Sequence, residues 1–497
     1  MPIALSSADA RTAVTDLRHL LWFRTRSVRR RTAVLGLAVI GLLTATAVVL
    51  PAWWPGRDAA GVTQVEDLLP SYLLAMVVLC VGSAVASGGG REVLARDAAA
   101  IHPVGPFADH LGALVLAPLS AAWLLQTWAL LAGAAWLAGP RPVPLVAAET
   151  LALAWVAAST AAGQLVGWLV EWLRRGPRGS LHVRLLVAGA VVTAVGVTRT
   201  WQRPPGGAAL AHAPPFALVG MLAGLLTALL VLVALGALAA RLAARRPPRD
   251  EVRLESRSYS ARAEARSDLM AMVRTDRGSV WRSVPVRRGI VFLTLAPGLA
   301  ALVHPLSWTT LVVLPGLVVS GCVLLFGVNI WALDGRGLLW RESLPVAPSV
   351  QLLARGRVLG ELLLGAGALT LLLGAVRADR PHTAELVAAV TALVAVTGQA
   401  LSAGLRWSVR APHAVDYRSA RATPAPPSTM VGYSVRLSLA TTLTAMVLGS
   451  LASVGRTDLV VAFGALLLAV SVTRVLRVAR RWSDPVTRAR VVAAVAA

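Results

Sequence analysis

Asn329 to Arg357 reads NIWALDGRGLLWRESLPVAPSVQLLARGR, and the fold turns on where that run is placed. It leaves an apolar stretch at Trp331, carries Asp334, Arg336, Arg341 and Glu342, passes Pro345 and Pro348, and returns to an apolar stretch near Val358. So many charges are too costly for a bilayer interior, and the run is too short to be a domain. It is expected to form a small structured loop with one amphipathic turn, held against the inner face of a membrane. An earlier stretch matches it. Ile101-His102-Pro103-Val104-Gly105-Pro106 aligns with Ser343-Leu344-Pro345-Val346-Ala347-Pro348, and Cys80 and Cys322 are separated by the same number of residues as Pro103 and Pro345.

The rest of the chain explains why a membrane is invoked. Of 497 residues, 56% are hydrophobic and 14% charged, and the mean hydropathy is +0.68. A helix spanning a bilayer core needs about 20 apolar residues, and roughly a dozen such runs are present. The formal net charge is +24, and every basic side chain is Arg. The arginines sit beside apolar runs on alternate sides, as the positive-inside rule requires, so nucleic acid is not the expected partner. Wholesale Arg with abundant Ala, Val, Leu and Gly is a composition associated with GC-rich bacterial genomes. Cys80 and Cys322 fall inside apolar runs and read as small hydrophobes. The eight histidines lack ligand spacing, so no metal site is expected. An Arg-rich lead precedes a first apolar run of full spanning length, which argues for a retained helix and against a cleaved signal.

The expected spans are 33–53, 68–87, 109–138, 143–172, 182–199, 215–240, 288–303, 308–331, 352–376, 384–404, 431–454 and 457–476. The segment 288–303 is short and holds Pro297. Arg24, Arg26 and Arg29 to Arg31 precede the first span, and Arg474, Arg477, Arg480 and Arg481 follow the last. Both termini are therefore expected inside, at the cytoplasmic face. DLRHLLWFRTRSV (Asp16–Val28) and DLMAMVRTDRGSV (Asp268–Val280) share their Asp-Leu and Ser-Val pairs at equal spacing, and each fits a surface-lying amphipathic helix. The expected fold is all-α and polytopic, with about twelve transmembrane helices in two tandem six-helix parallel repeats, N-in and C-in. The expected divisions are a first half at 1–240, a cytosolic linker at 241–267 and a second half at 268–497.

Polar residues inside the apolar runs are few. Gln126, Gln164, Asn329 and Gln399 are candidates for lining a substrate path, against the commoner role of joining helices by hydrogen bonds. Glu361 lies four residues after Arg357, the spacing of an ion pair on one helix face. Glu66-Asp67 on the first outer loop would suit an acidic pair in a membrane enzyme, yet no large outer domain follows to hold an acceptor.

Asn329-Ile330-Trp331-Ala332-Leu333-Asp334-Gly335-Arg336-Gly337, continuing through Leu344-Pro345-Val346 to Arg355-Gly356-Arg357, resembles the inner loop of permease subunits of ABC-2 type exporters. Ala332 stands where a Gly is frequent there, and Gly356-Arg357 replaces Gly-Lys. The first half is similar through Arg91-Glu92 and Pro103-Val104. The resemblance implies a non-catalytic membrane subunit in a bacterial cell membrane. It implies that Arg91, Glu92, Arg96, Asp97 and Pro103 in one loop, and Asp334, Gly335, Arg336, Arg341, Glu342 and Pro345 in the other, couple to a cytosolic ABC ATPase present in two copies. ATP and Mg would be held by that partner and lipid would surround the spans; this chain would need no cofactor. A P-loop needs a Lys, and the chain has none. The cargo expected is hydrophobic: a drug, lipid or secondary metabolite. The alternative is a secondary transporter of the major facilitator type, which also has two six-span halves, and whose loop motif Asp334-Gly335-Arg336-Gly337 resembles.

Overall fold

Long apolar segments have one low-energy form in hydrocarbon, the helix, because each backbone N–H and C=O must be satisfied within the segment. The computed structural model describes residues 12–19, 22, 30–86, 105–117, 121–179, 181–186, 188–189, 215–246, 264–303, 306–415 and 424–497, and the regular structure among them is all helical. Seven of these helices are long and apolar enough to cross a membrane, and three shorter apolar stretches, Ile40–Ala52, Tyr72–Ala84 and Pro106–Leu116, accompany them. The chain divides into two units, Met1–Arg249 and Asp250–Ala497.

The first unit contains α1 (Arg30–Ala52), α2 (Ala59–Ala86), α3 (Pro106–Leu116), α4 (Ala121–Ala138), α5 (Pro142–Arg174) and α6 (Pro215–Ala244). The span expected at 109–138 covers α3 and α4, and residues 118–120 between them lie outside the described residues. That expected at 182–199 lies mostly outside the described residues. Helix α5 packs against α2, α4 and α6, and α1 packs on α4. The apolar core comes in small patches, such as Met76, Leu130 and Val156, or Trp168 with Ala239, Ala240 and Ala243. Indole N–H groups stitch the helices between patches. Trp155 donates to the Leu73 carbonyl at 3.0 Å, Trp123 to the Thr160 hydroxyl at 2.9 Å, and Trp168 to Nδ1 of the buried His110 at 3.1 Å.

The second unit begins with α7 (Asp268–Arg282), capped by the Ser267 side chain, which accepts from the Met270 N–H. Then come α8 (Val284–Val303), α9 (Trp308–Leu311), α10 (Leu314–Phe326), α11 (Gly337–Glu342), α12 (Pro348–Ala375), α13 (Thr383–Arg410), α14 (Pro427–Ser453), α15 (Thr457–Ser483) and α16 (Pro485–Ala496). The span expected at 308–331 corresponds to Trp308–Asn329, with a two-residue turn between α9 and α10. Pro315 there occupies the first turn of α10, where a missing N–H costs nothing. Pro297 sits within α8. One continuous core runs from Met272 and Val273 through Val318, Cys322, Trp331, Leu338, Leu359 and Leu405 to Trp482 and Val495.

Candidate functional site

The loop that joins α10 to α12 is clamped where it leaves its span. A single turn of 3-10 helix, Gly327–Asn329, follows α10. The Asn329 side chain is wholly buried, and its amide donates to the carbonyls of His413 at 2.7 Å and Pro424 at 3.1 Å. The Ile330 N–H donates to Ser408 Oγ at 3.0 Å. Gly404 lets α13 come close here: a Cβ on it would lie 2.6 Å from the Gly327 carbonyl oxygen. Asn329 thus spends both amide protons on holding backbone.

The chain then turns inward before it turns out. Trp331 is fully buried and stacks on Trp482 at the end of α15, ring centroids 4.4 Å apart. Gly335 adopts φ +51°, the left-handed conformation that L side chains disfavour, and so reverses the chain after Asp334. Helix α11 is short and two-faced. Leu338 and Arg341 point in and are buried, whereas Leu339 and Trp340 are 56% and 67% exposed. Arg336 and Pro345 are exposed as well. Pro348 starts α12, which carries Gln351 and Arg355 back beneath the loop.

Four charged side chains meet under α11. Arg341 binds Asp276 of α7 in a fork, Nη1 to Oδ1 at 2.5 Å and Nη2 to Oδ2 at 3.1 Å. Arg355 bonds Asp334 and lies 3.2 Å from Asp276, and Arg341 lies 3.7 Å from Asp334. The Asp276 side chain is 0% exposed and the two arginines are about as buried. The group has two positive and two negative charges, so it is neutral as a whole. Both guanidinium carbons sit near the Trp331 ring, at 5.7 and 5.5 Å from its centroid. Burying ions costs several kcal/mol each, about what their mutual attraction returns. The quartet therefore adds little net stability but fixes geometry: α7, the loop and α12 can adopt one relative arrangement without stranding a charge. Among the described residues, the indole N–H groups of Trp331 and Trp482, and the Nε groups of both arginines, find no acceptor. Each such group costs about 1–3 kcal/mol, so an apolar cluster of the same shape would be more stable.

Two further ties surround the quartet. Glu361 on α12 pairs with Arg277 of α7 at 2.7 Å and with Arg357 at 2.9 Å, as its spacing from Arg357 predicts. Glu342 pairs with Arg488 of α16 at 2.5 Å. Helix α16 is started by Asp484, whose carboxylate accepts from the Thr487 N–H and hydroxyl. Those bonds hold the Asp484 carboxyl below the usual carboxylate range.

Asp334, Arg341 and Glu342 are thus engaged within the unit, while Arg336, Leu339 and Trp340 form the outward face. Gln399 bonds the Thr444 hydroxyl and joins α13 to α14. Gln126 reaches the Tyr72 carbonyl at 3.4 Å. Gln164 is buried, with its carbonyl oxygen unpartnered. Arg91, Glu92, Arg96, Asp97 and Pro103 lie outside the described residues. Sequence reasoning missed Asp276, Arg355, Trp482 and Arg488 as site residues. Asp276 did leave a signal, since helical spacing puts it on the same face as Met272, Val273 and Val280, all buried. Among the described residues no group of His, Cys, Asp or Glu could hold a metal ion. No family model, curated protein or solved structure matches the chain.

Proposed function

We propose that this chain is the transmembrane permease subunit of an ATP-driven exporter of the ABC-2 type, with twelve spans in two parallel six-helix repeats and both termini in the cytosol. ATP would be hydrolysed by a separate subunit, and the cargo would be hydrophobic. The observation that carries the reading is the loop between α10 and α12. A slack connection between two spans has no need of a buried ionic frame, and this one has a frame that sacrifices stability for position. What it positions is a short helix offering Leu339 and Trp340 to the outside, with Arg336 beside them. A large exposed aromatic flanked by Arg is the composition of a protein–protein hot spot. Motion of a docked ATPase would then be transmitted through Arg341 and Arg355 to α7 and α12 together, moving a bundle as a rigid body.

The test is assembly. The tagged chain is purified from its native membranes and assayed for an associated ATPase. The double variant L339A/W340A should insert normally and lose the associated ATP hydrolysis at least about tenfold, the effect of one hot-spot residue or more. Transport in vesicles that follows a proton gradient and ignores ATP would replace this reading with a secondary transporter.

A further inference from the structure

The second unit also carries a concentration of positive charge that the docking loop does not use. Helix α13 lies between α14 and α15. Its partner α15 runs parallel to it: Cβ atoms built on Gly464 and Gly398 would meet Thr391 and Ser471, so the facing positions rise together along both helices. Helix α14 runs antiparallel, with Gln399 bonded to Thr444 and Trp407 stacked on Tyr433 at 4.1 Å. These registers bring Arg406 and Arg410 of α13 level with Arg436 of α14 and with Arg474 and Arg481 of α15. All five side chains are exposed. The charges of Arg410, Arg436, Arg474 and Arg481 all bear on Arg406. Among the described residues no carboxylate pairs with any of the five.

Position matters here. All five fall near one end of helices long and apolar enough to cross a membrane, Thr383–Arg410, Gly432–Ser453 and Thr457–Ser483. The same helices carry exposed apolar side chains, including Val435 and Leu439 of α14 and Val472 and Leu476 of α15. An ion beside the end of an apolar helix needs a counter-ion or a route to water. Five like charges facing one another demand it more strongly, because each raises the cost of its neighbours. Arg suits phosphate because its planar fork can bind two oxygens at once. A carboxylate-bearing protein segment would satisfy the charge and not the apolar rim. A phospholipid supplies both, with an anionic phosphodiester at the level of the guanidinium groups and acyl chains along α14 and α15.

We propose that Arg406, Arg410, Arg436, Arg474 and Arg481 form a binding site for the headgroup of an anionic phospholipid, seated where α13, α14 and α15 meet. The site is independent of the docking loop and of the exporter reading.

The purified chain in detergent is titrated with phosphatidylglycerol, phosphatidylcholine and inorganic phosphate, and binding is followed by native mass spectrometry and thermal stability. Phosphatidylglycerol should be retained and should raise the melting temperature, and phosphatidylcholine should do neither. Each arginine near an anionic headgroup contributes a factor of about five, so R406Q/R474Q and R410Q/R436Q should each weaken phosphatidylglycerol binding roughly thirtyfold. The variant R377Q/R380Q, which removes two exposed charges at the other end of α13, should bind as the wild type does. Equal retention of the two lipids overturns the proposal, as does undiminished binding by both cluster variants. Inorganic phosphate that competes at the same concentration as the lipid would mean a soluble-anion site and overturn the lipid assignment. Should one cluster variant fail to fold, the other and the wild-type lipid comparison decide.

Discussion

The two units are built from similar lengths of chain and are held together differently. In the first, small apolar patches are joined by indole donors such as Trp155 and Trp168 and by arginines that donate to backbone carbonyls, such as Arg175 to Ala243. In the second, the larger of two apolar clusters among the described residues surrounds four buried charges that pair with one another. At the positions set by the short matching stretches, the first half carries other residues. Aligning Pro103 with Pro345 sets Ala99 at the place of Arg341 and Ala113 at the place of Arg355, and aligning the amphipathic leads sets Arg24 at the place of Asp276. The charges of the quartet thus belong to the second unit alone. A neutral hydrogen bond can be lost and replaced by packing, whereas a buried ion deprived of its partner has no cheap alternative. The loop between α10 and α12 is thereby committed to a single arrangement.

The sharpest way to break this comparison is Asp276→Ala. It leaves Arg341 and Arg355 with one carboxylate between them, and should cost about 3–5 kcal/mol, read as a fall in the melting temperature of the detergent-solubilised chain. Trp168→Phe in the first unit removes a neutral donor to His110 and should cost only about 1–2 kcal/mol. Equal losses would mean that the quartet is ordinary glue. A smaller effect is expected at the edge of the loop. Glu342→Gln breaks a part-exposed pair with Arg488 and should cost about 0.5–1 kcal/mol, with hydrogen exchange rising in α16 and unchanged in α7. Slighter still is the cap of α16. The folded Asp484 carboxyl is held below its unfolded value by the Thr487 hydroxyl and N–H. Its contribution is therefore complete above the ordinary carboxylate range and lost as pH falls through the lowered folded value. Exchange protection of α16 should drop on acidification in the wild type, and Asp484→Ala should remove that pH dependence while lowering protection at neutral pH.

The parts of the fold that sequence made legible are those governed by local rules. The ends of α12 and α13 follow from prolines, charges and apolar length, and α7 follows from its cap and its spacing of Leu269, Met272, Val273 and Val280. The loop was legible as a loop. Which of its charges face inward was not, because that depends on Asp276 and on Arg488, residues far away in the chain whose pairing no periodicity reveals. Asp334, Arg341 and Glu342 are expected from the sequence to face a partner; the fold pairs them within the unit and leaves Leu339 and Trp340 exposed instead. The segment expected to span at 308–331 is found as Trp308–Asn329, with a local turn at Val312 and Val313 just before Pro315.

The stacking of Trp331 on Trp482 bears on how the molecule is made. Helices α11 to α14 and nearly all of α15 separate the two indoles along the chain. A ribosome therefore releases the loop long before it releases the residue that backs it. Throughout that interval Trp331 lacks the ring that backs it. The loop can take its final packing only once the end of α15 has emerged, so its shape reports that the helices between have been made.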